Sequence, residues 1–256
     1  MTHWIRFEHT GHLGFGTLSE GTIAVHEGNM FEHPTPTGEA LPLDKVSTLA
    51  PTDAGKMLAL WNNSRAMAAK MGQEAPDEPL YFIKANGSYL GTGATIRKPA
   101  SYDGKVVFEG ELGIVIGREC RALSETESDD HIFGYTCVND VTAIALLGKD
   151  PLFRQWTRAK SFDTFGVFGP VVATGLDPSA LSIRTVLNDQ ERQHYSVSDL
   201  FFQPAQIVSR ISQDMTLHPG DVVCCGTSVG VGSMKPGSVV EVAIDGVGTL
   251  RNRYEA

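Results

Sequence analysis

Val106-Val-Phe-Glu-Gly-Glu-Leu-Gly-Ile-Val-Ile-Gly117 reads as a strand with two acids inside it. Side chains alternate faces along an extended chain. Val107, Glu109, Glu111, Gly113 and Val115 therefore fall on one face, and Phe108, Leu112, Ile114 and Ile116 on the other. Neither face resembles one turned to water, yet two like charges about 7 Å apart at Cα share one of them. Buried carboxylates are costly unless neutralised, and a divalent cation does this well. An antiparallel edge strand with one wet face would also carry such a pair, so this segment alone leaves both readings open.

A third acid follows in Gly134-Tyr-Thr-Cys-Val-Asn-Asp140-Val-Thr, where Asn139 and Asp140 end an apolar run. Three carboxylates completed by water suit a hard ion, Mg²⁺ or Mn²⁺, better than zinc, which prefers histidine and cysteine. Spacing does not prove this in a chain with 30 acids. Lys160-Ser-Phe-Asp163-Thr-Phe-Gly-Val-Phe-Gly-Pro170 is the next unusual stretch, a lysine and an acid amid phenylalanines and glycines. A buried lysine beside a metal site can bind an anionic oxygen or move a proton; a plain Lys160–Asp163 salt bridge on a strand edge is the alternative. Gly226-Thr-Ser-Val-Gly-Val-Gly232 could offer backbone N–H groups to an anion, although it matches neither common nucleotide-binding glycine pattern.

The 256 residues are 41% hydrophobic and 20% charged, the profile of a globular chain. A net charge of −9 with no basic block disfavours nucleic-acid or anionic-membrane partners. Cys120, Cys137, Cys224 and Cys225 form no C-x-x-C pair and read as buried free thiols. No apolar run approaches the ~18 residues of a membrane span, and Met1-Thr-His-Trp-Ile-Arg lacks the features of a signal peptide, so a cytoplasmic location is expected.

Trp4 to Phe7 and two runs around Ser19-Glu-Gly21 read as strand and hairpin, followed by a Gly- and Pro-rich loop over 28–43. Lys56 to Trp61 is apolar and could be strand or helix. Ser64 to Met71 has helical propensity and is closed by Gly72. The polar segment 73–79 reads as an entry to a second domain. We therefore divide the chain into a small N-terminal domain with a lid segment (1–77) and a catalytic domain (78–256). The second part is strand-dense: Tyr81 to Lys84, Val106 to Ile116, Val167 to Ala173, Ser182 to Leu187, Val222 to Cys225 and Ser238 to Ile244. Helices are few, at the Ser124-x-x-Glu127 capping box and over Gln206 to Met215. This profile is α+β and mainly β rather than βαβ repeats.

Taken in order, Glu109-x-Glu111, Asn139-Asp140-Val-Thr, Lys160-Ser-Phe-Asp-Thr-Phe-Gly and Gly226-Thr-Ser-x-Gly-Val-Gly strongly resemble the fumarylacetoacetate hydrolase family, from about Leu80 to the C-terminus. The resemblance implies a mixed β-roll catalytic domain behind a variable N-terminal domain, and a homodimer. It implies Glu109, Glu111 and Asp140 as ligands of Mg²⁺ or Mn²⁺, with a small-molecule 2-oxo or 2,4-dioxo acid chelated by the ion. Lys160 would lie beside the substrate oxygens, and Thr227, Gly226 and Asp163 would contact the substrate. A divalent ion on the 2-oxo group stabilises an enolate, a species shared by C–C hydrolysis, isomerisation, decarboxylation and hydration. By resemblance, hydrolysis of an acylpyruvate-type C–C bond, of the kind met in aromatic catabolism, is expected first.

The chain departs from that pattern in two places. Hydrolytic members carry Asn-Tyr-x-x-His-x-x-Glu, whose His and Glu activate water. Here Asn63-Ser-Arg-Ala-Met67-Ala-Ala-Lys70 puts Met67 and Lys70 in those positions. Relatives reading Asp-x-Ser/Thr-Ala-Arg-Asp-x-Gln touch substrate through the Arg and Gln, which here become Ile144 and Leu147. Arg65 or Lys70 could take over anion binding or proton transfer, or both could lie on a solvated helix face. Isomerase or decarboxylase activity, needing only the enolate, is the alternative reaction, and a silent oxo-acid-binding relative the alternative of another class.

Overall fold

The stretch carrying the two glutamates is two strands joined at a corner. A computed structural model, describing residues 1–256, places Val106–Phe108 in a three-stranded sheet with Thr142–Ala143 and Gly232–Ser233. After Glu109 the chain turns into Gly110–Ile116, which runs between Ile132–Asp140 and Val222–Cys224 in a different, 12-stranded sheet. The expected single strand over 106–116 is thus broken, and the break falls on Glu109. Gly110 is the hinge residue that permits it. A Cβ built there would lie 2.0 Å from Thr185 Oγ1, closer than any side chain tolerates.

Every residue of Gly110–Ile116 is buried, with Leu112, Ile114 and Ile116 in the main core. The edge-strand reading of the glutamate pair is therefore excluded. Beyond its neighbours the large sheet continues on one side through Gly166–Thr174 to Thr2–His9 and the hairpin His12–Ser19 and Thr22–Glu27. On the other side it continues through Met57–Trp61 to Leu80–Lys84. A five-stranded sheet, Gln190–Ser196, Ser182–Leu187, Val239–Ile244, Gly248–Glu255 and Thr95–Arg97, packs beside it. The fold is α+β and mainly β, as expected from the sequence.

Two further strands were not expected from the sequence. The segment 28–43, expected as a loop, contains the strand Thr35–Pro42 paired with Thr22–Glu27. It is almost wholly exposed at the sheet edge, where Pro36 and Pro42 are tolerated and no buried face leaves an alternating signature. Gln190–Ser196 is also a strand, and it buries only Gln193 and Tyr195. The helix Arg65–Met71 forms as expected, with the Ser64 hydroxyl accepting from the Met67 N–H at its start and left-handed Gly72 at its end. Pro204–Asp214 is the longer amphipathic helix, packing Ile207, Val208 and Ile211 into the core. All four cysteines are buried and free.

Candidate metal centre

Glu109 at the corner, Glu111 two residues on, and Asp140 at the end of the adjacent strand converge. One carboxylate oxygen from each lies within 4.8 Å of the others. The register explains it. Gly110 pairs with Asn139 across the ladder, so the strand end carrying Asp140 abuts the glutamate corner. The Asp140 N–H donates to Glu109 O (2.8 Å), and the Glu109 N–H donates to Asn139 Oδ1 (3.0 Å). The Thr142 hydroxyl reaches Glu109 Oε1 at 2.8 Å.

The charges are compensated by two lysines. Lys160, ending the short helix Trp156–Lys160, places Nζ 2.7 Å from Glu109 Oε2 and 2.5 Å from Asp140 Oδ2. Lys84, at the end of Leu80–Lys84 and fully buried, pairs with Asp140 Oδ1. Burial alone would push the Asp140 carboxyl up, but Lys160 and Lys84 outweigh it and hold it below its ordinary value. Burial pulls the Lys84 ammonium down against the opposing pull of Asp140. For Lys160 burial is overcome by Asp140, Glu109 and Glu111, so its proton is held more firmly than in water. Glu111 has no such partner. Burial first, then the Asp140 charge, push its carboxyl well above the ordinary range.

Glu111 also supplies the test of whether the site suits a cation. Its Oε2 accepts the Gly226 N–H at 2.8 Å, while Oε1 is buried with no hydrogen-bond partner. An orphaned carboxylate oxygen aimed into a cluster of carboxylates is what a missing cation leaves behind. With every group ionised, three carboxylates against two ammonium groups leave one net negative charge. A divalent cation would convert this to one net positive charge, the sign that an anionic substrate requires.

Beside the cluster lies a cavity of about 220 Å³, walled by Trp61, Phe82, Trp156, Leu147, Ile144 and Val231, with Glu109, Lys160 and Thr227 facing it. Trp156 stacks on Phe82 (5.4 Å between rings) and meets Trp61 at 5.6 Å. Of the residues assigned from sequence, the metal triad, Lys160 and Thr227 come together. Thr227 Oγ1 donates to Gly110 O (3.0 Å) and accepts from Gln193 Nε2 (2.9 Å), so its proton reaches a ligand only if the hydroxyl turns. The Gly226 N–H is spent on Glu111.

Three assignments separate from this group. Asp163 makes no pair with Lys160 and lines another cleft, with Arg97 and Lys98. Lys70 is exposed and does not line the cavity, whereas Met67 does. Arg65 stands over the Phe201 ring, 4.8 Å from its centroid, also away from the cavity. A seven-residue helix spreads its side chains round the axis, so one face meets the cavity and Arg65 and Lys70 are carried off it.

Four contributors were missed. Lys84 was detectable, because period-two alternation puts it on the same face as Phe82. Gln193 and Tyr195 tie the corner to the glycine loop. Gln193 accepts the Gly110 N–H and donates to Thr227 and Ser228, and the Tyr195 hydroxyl lies 2.9 Å from Gly110 O and 3.2 Å from Gly226 O. Arg154, on the cavity wall, carried no sequence signal.

These elements define a class of protein. Residues 56–255 match the family described as Fumarylacetoacetate (FAA) hydrolase C-terminal, and residues 2–51 match Rv2993c-like, N-terminal. The chain belongs to the fumarylacetoacetate hydrolase family. It is 41% identical to Protein Rv2993c of Mycobacterium tuberculosis over 93% of this chain and 89% of that protein. It is 32% identical to oxaloacetate tautomerase YisK of Bacillus subtilis over 82% of this chain and 72% of that protein. The crystal structure of 2-hydroxyhepta-2,4-diene-1,7-dioate isomerase from Mycobacterium marinum matches with a TM-score of 0.91 at 36% identity, covering 100% of this chain and 98% of that one.

Proposed function

We propose that the chain is a divalent-metal-dependent enzyme that moves a proton on a 2-oxo acid, as a keto–enol tautomerase or double-bond isomerase. One observation carries this: the metal-suited triad and its cavity are intact, but the position expected to hold a water-activating histidine holds Met67, and Lys70 points elsewhere. Among the groups facing the cavity, Lys160 carries a firmly held proton that can hydrogen-bond an enolate oxygen. The tautomerase and isomerase relatives at 32% and 36% identity support the same ordering. Cleavage of acylpyruvates, expected first from resemblance alone, ranks behind it for want of a group to activate water.

Glu109, Glu111 and Asp140 would hold Mg²⁺ or Mn²⁺, which supplies Lewis-acid stabilisation of negative charge on a substrate oxygen. Lys160 Nζ, fixed between Glu109 and Asp140 at the cavity wall, holds a proton where the substrate oxygen becomes basic. Thr227 Oγ1, once its hydroxyl turns away from Gly110 O, would orient the substrate carboxylate, and Trp61, Phe82, Trp156 and Leu147 would exclude water.

The test is to incubate the protein with Mg²⁺ in D₂O and follow oxaloacetate, a hydroxymuconate-type diene and an acylpyruvate by NMR. Deuterium entry at C3 or double-bond migration without cleavage is expected. Acylpyruvate cleavage at rates exceeding proton exchange would replace this function with hydrolysis.

A further inference from the structure

Lys160 is fully engaged by Glu109 and Asp140. Arg154 is the other cation on the cavity wall, and it enters none of the ion pairs or side-chain hydrogen bonds within the chain. Its backbone is nevertheless held. Asp150 Oδ1 accepts the N–H groups of Leu152 (2.8 Å) and Phe153 (3.0 Å), shaping the turn that leads into it. The Trp156 N–H donates to Arg154 O at 3.0 Å, and the Trp156 ring is fixed against Trp61 and Phe82. Arg154 is exposed at the rim, and with Trp156, Lys160 and Glu109 it lines the one cavity beside the carboxylate cluster. The remaining wall contributed by Ile144 and Leu147 offers no polar group.

We infer that Arg154 is a specificity-determining residue that receives a second carboxylate, making the substrate a dicarboxylic 2-oxo acid. This rests on the enolising function proposed above. One end of such a molecule lies at the triad, its carbon chain lies against Trp156, and the far carboxylate meets the guanidinium, whose fork suits two-point contact with a carboxylate. A monocarboxylic acid would leave that fork unpaired.

Oxaloacetate and 2-oxobutanoate share a four-carbon chain and differ by the far carboxylate. With Mg²⁺ in D₂O, exchange at C3 is measured for both acids in the wild type, Arg154→Gln and Arg154→Lys. Arg154→Gln is expected to lower kcat/KM for oxaloacetate about 10- to 100-fold, mainly through KM, and to leave 2-oxobutanoate within about twofold. Arg154→Lys should retain part of the preference. Equal loss for both acids, or no loss for oxaloacetate, overturns the role. If the wild type exchanges neither acid, the enolising function fails while Arg154 is still decided by binding. Tryptophan fluorescence should then show oxaloacetate bound more tightly than 2-oxobutanoate, with the preference abolished in Arg154→Gln; an absent or unchanged preference overturns it.

Discussion

Lys84 has no exposed surface, and its one charged partner is Asp140. Removing one member of a buried pair strands the other charge. Lys84→Met should therefore destabilise the protein by about 3 kcal/mol or more, read as a lower urea midpoint at constant slope. Mg²⁺ should reduce the loss, because the ion gives Asp140 a new counter-charge; wild-type stability without Mg²⁺ would contradict the pairing. Glu111 predicts a pH effect of definite sign. Its folded-state carboxyl is raised above its ordinary 4.5, so the native protein binds the proton more tightly than the unfolded chain. Stability contributed by this group is present below about 4.5 and is lost as pH rises through the raised folded value. Glu111→Gln or saturating Mg²⁺ should flatten that decline in a series of thermal melts, and metal uptake near neutral pH should release a proton, detectable by calorimetry in buffers of different ionisation enthalpy. Asp140 has the opposite sign, its stabilisation fading as pH falls through its depressed value. At this scale the triad and Lys160 were legible because charged residues interrupted apolar runs. Arg154 was not, since an arginine in a polar segment has the same composition whether it faces a cavity or water.

Among the elements, the corner at Glu109 is held by side chains from a different sheet. Gln193 bonds Gly110, Thr227 and Ser228, so it fastens the strand that carries Glu111 to the loop that caps it. Gln193→Leu leaves the buried Gly110 N–H without its acceptor. It should cost about 1–3 kcal/mol in stability and weaken Mg²⁺ binding, measured by titration calorimetry. Unchanged metal affinity would show that the corner holds its shape without the tie. Most strands were readable from their apolar runs, and the helix closed by Gly72 from its propensity and cap. Thr35–Pro42 escaped because it buries no face, and Gln190–Ser196 escaped because polar residues occupy even its buried positions. The division of Val106–Ile116 was hidden for another reason: a corner is set by contacts from Thr185 and Gln193, far away in sequence.

For the whole molecule, the N-terminal strand Thr2–His9 matters to the sheet that carries Glu111 and Asp140. It pairs with Gly166–Thr174 and places Ile5 and Phe7 in the main core. A fragment of residues 52–256 would expose that strand's edge and core-facing apolar surface, so it should aggregate where the full chain does not, as read by size-exclusion chromatography. Loading the intact chain with Mg²⁺ at 100 times its Kd should raise stability by about 2.7 kcal/mol if the ion binds only the folded form. The two lysines give this last effect an unusual character. They already balance most of the charge of the three carboxylates, so the chain is expected to stay folded when no ion is bound. For the metal-dependent enzyme proposed above, metal supply would then act as a reversible throttle on activity within a standing population of molecules, without synthesis or degradation of the chain.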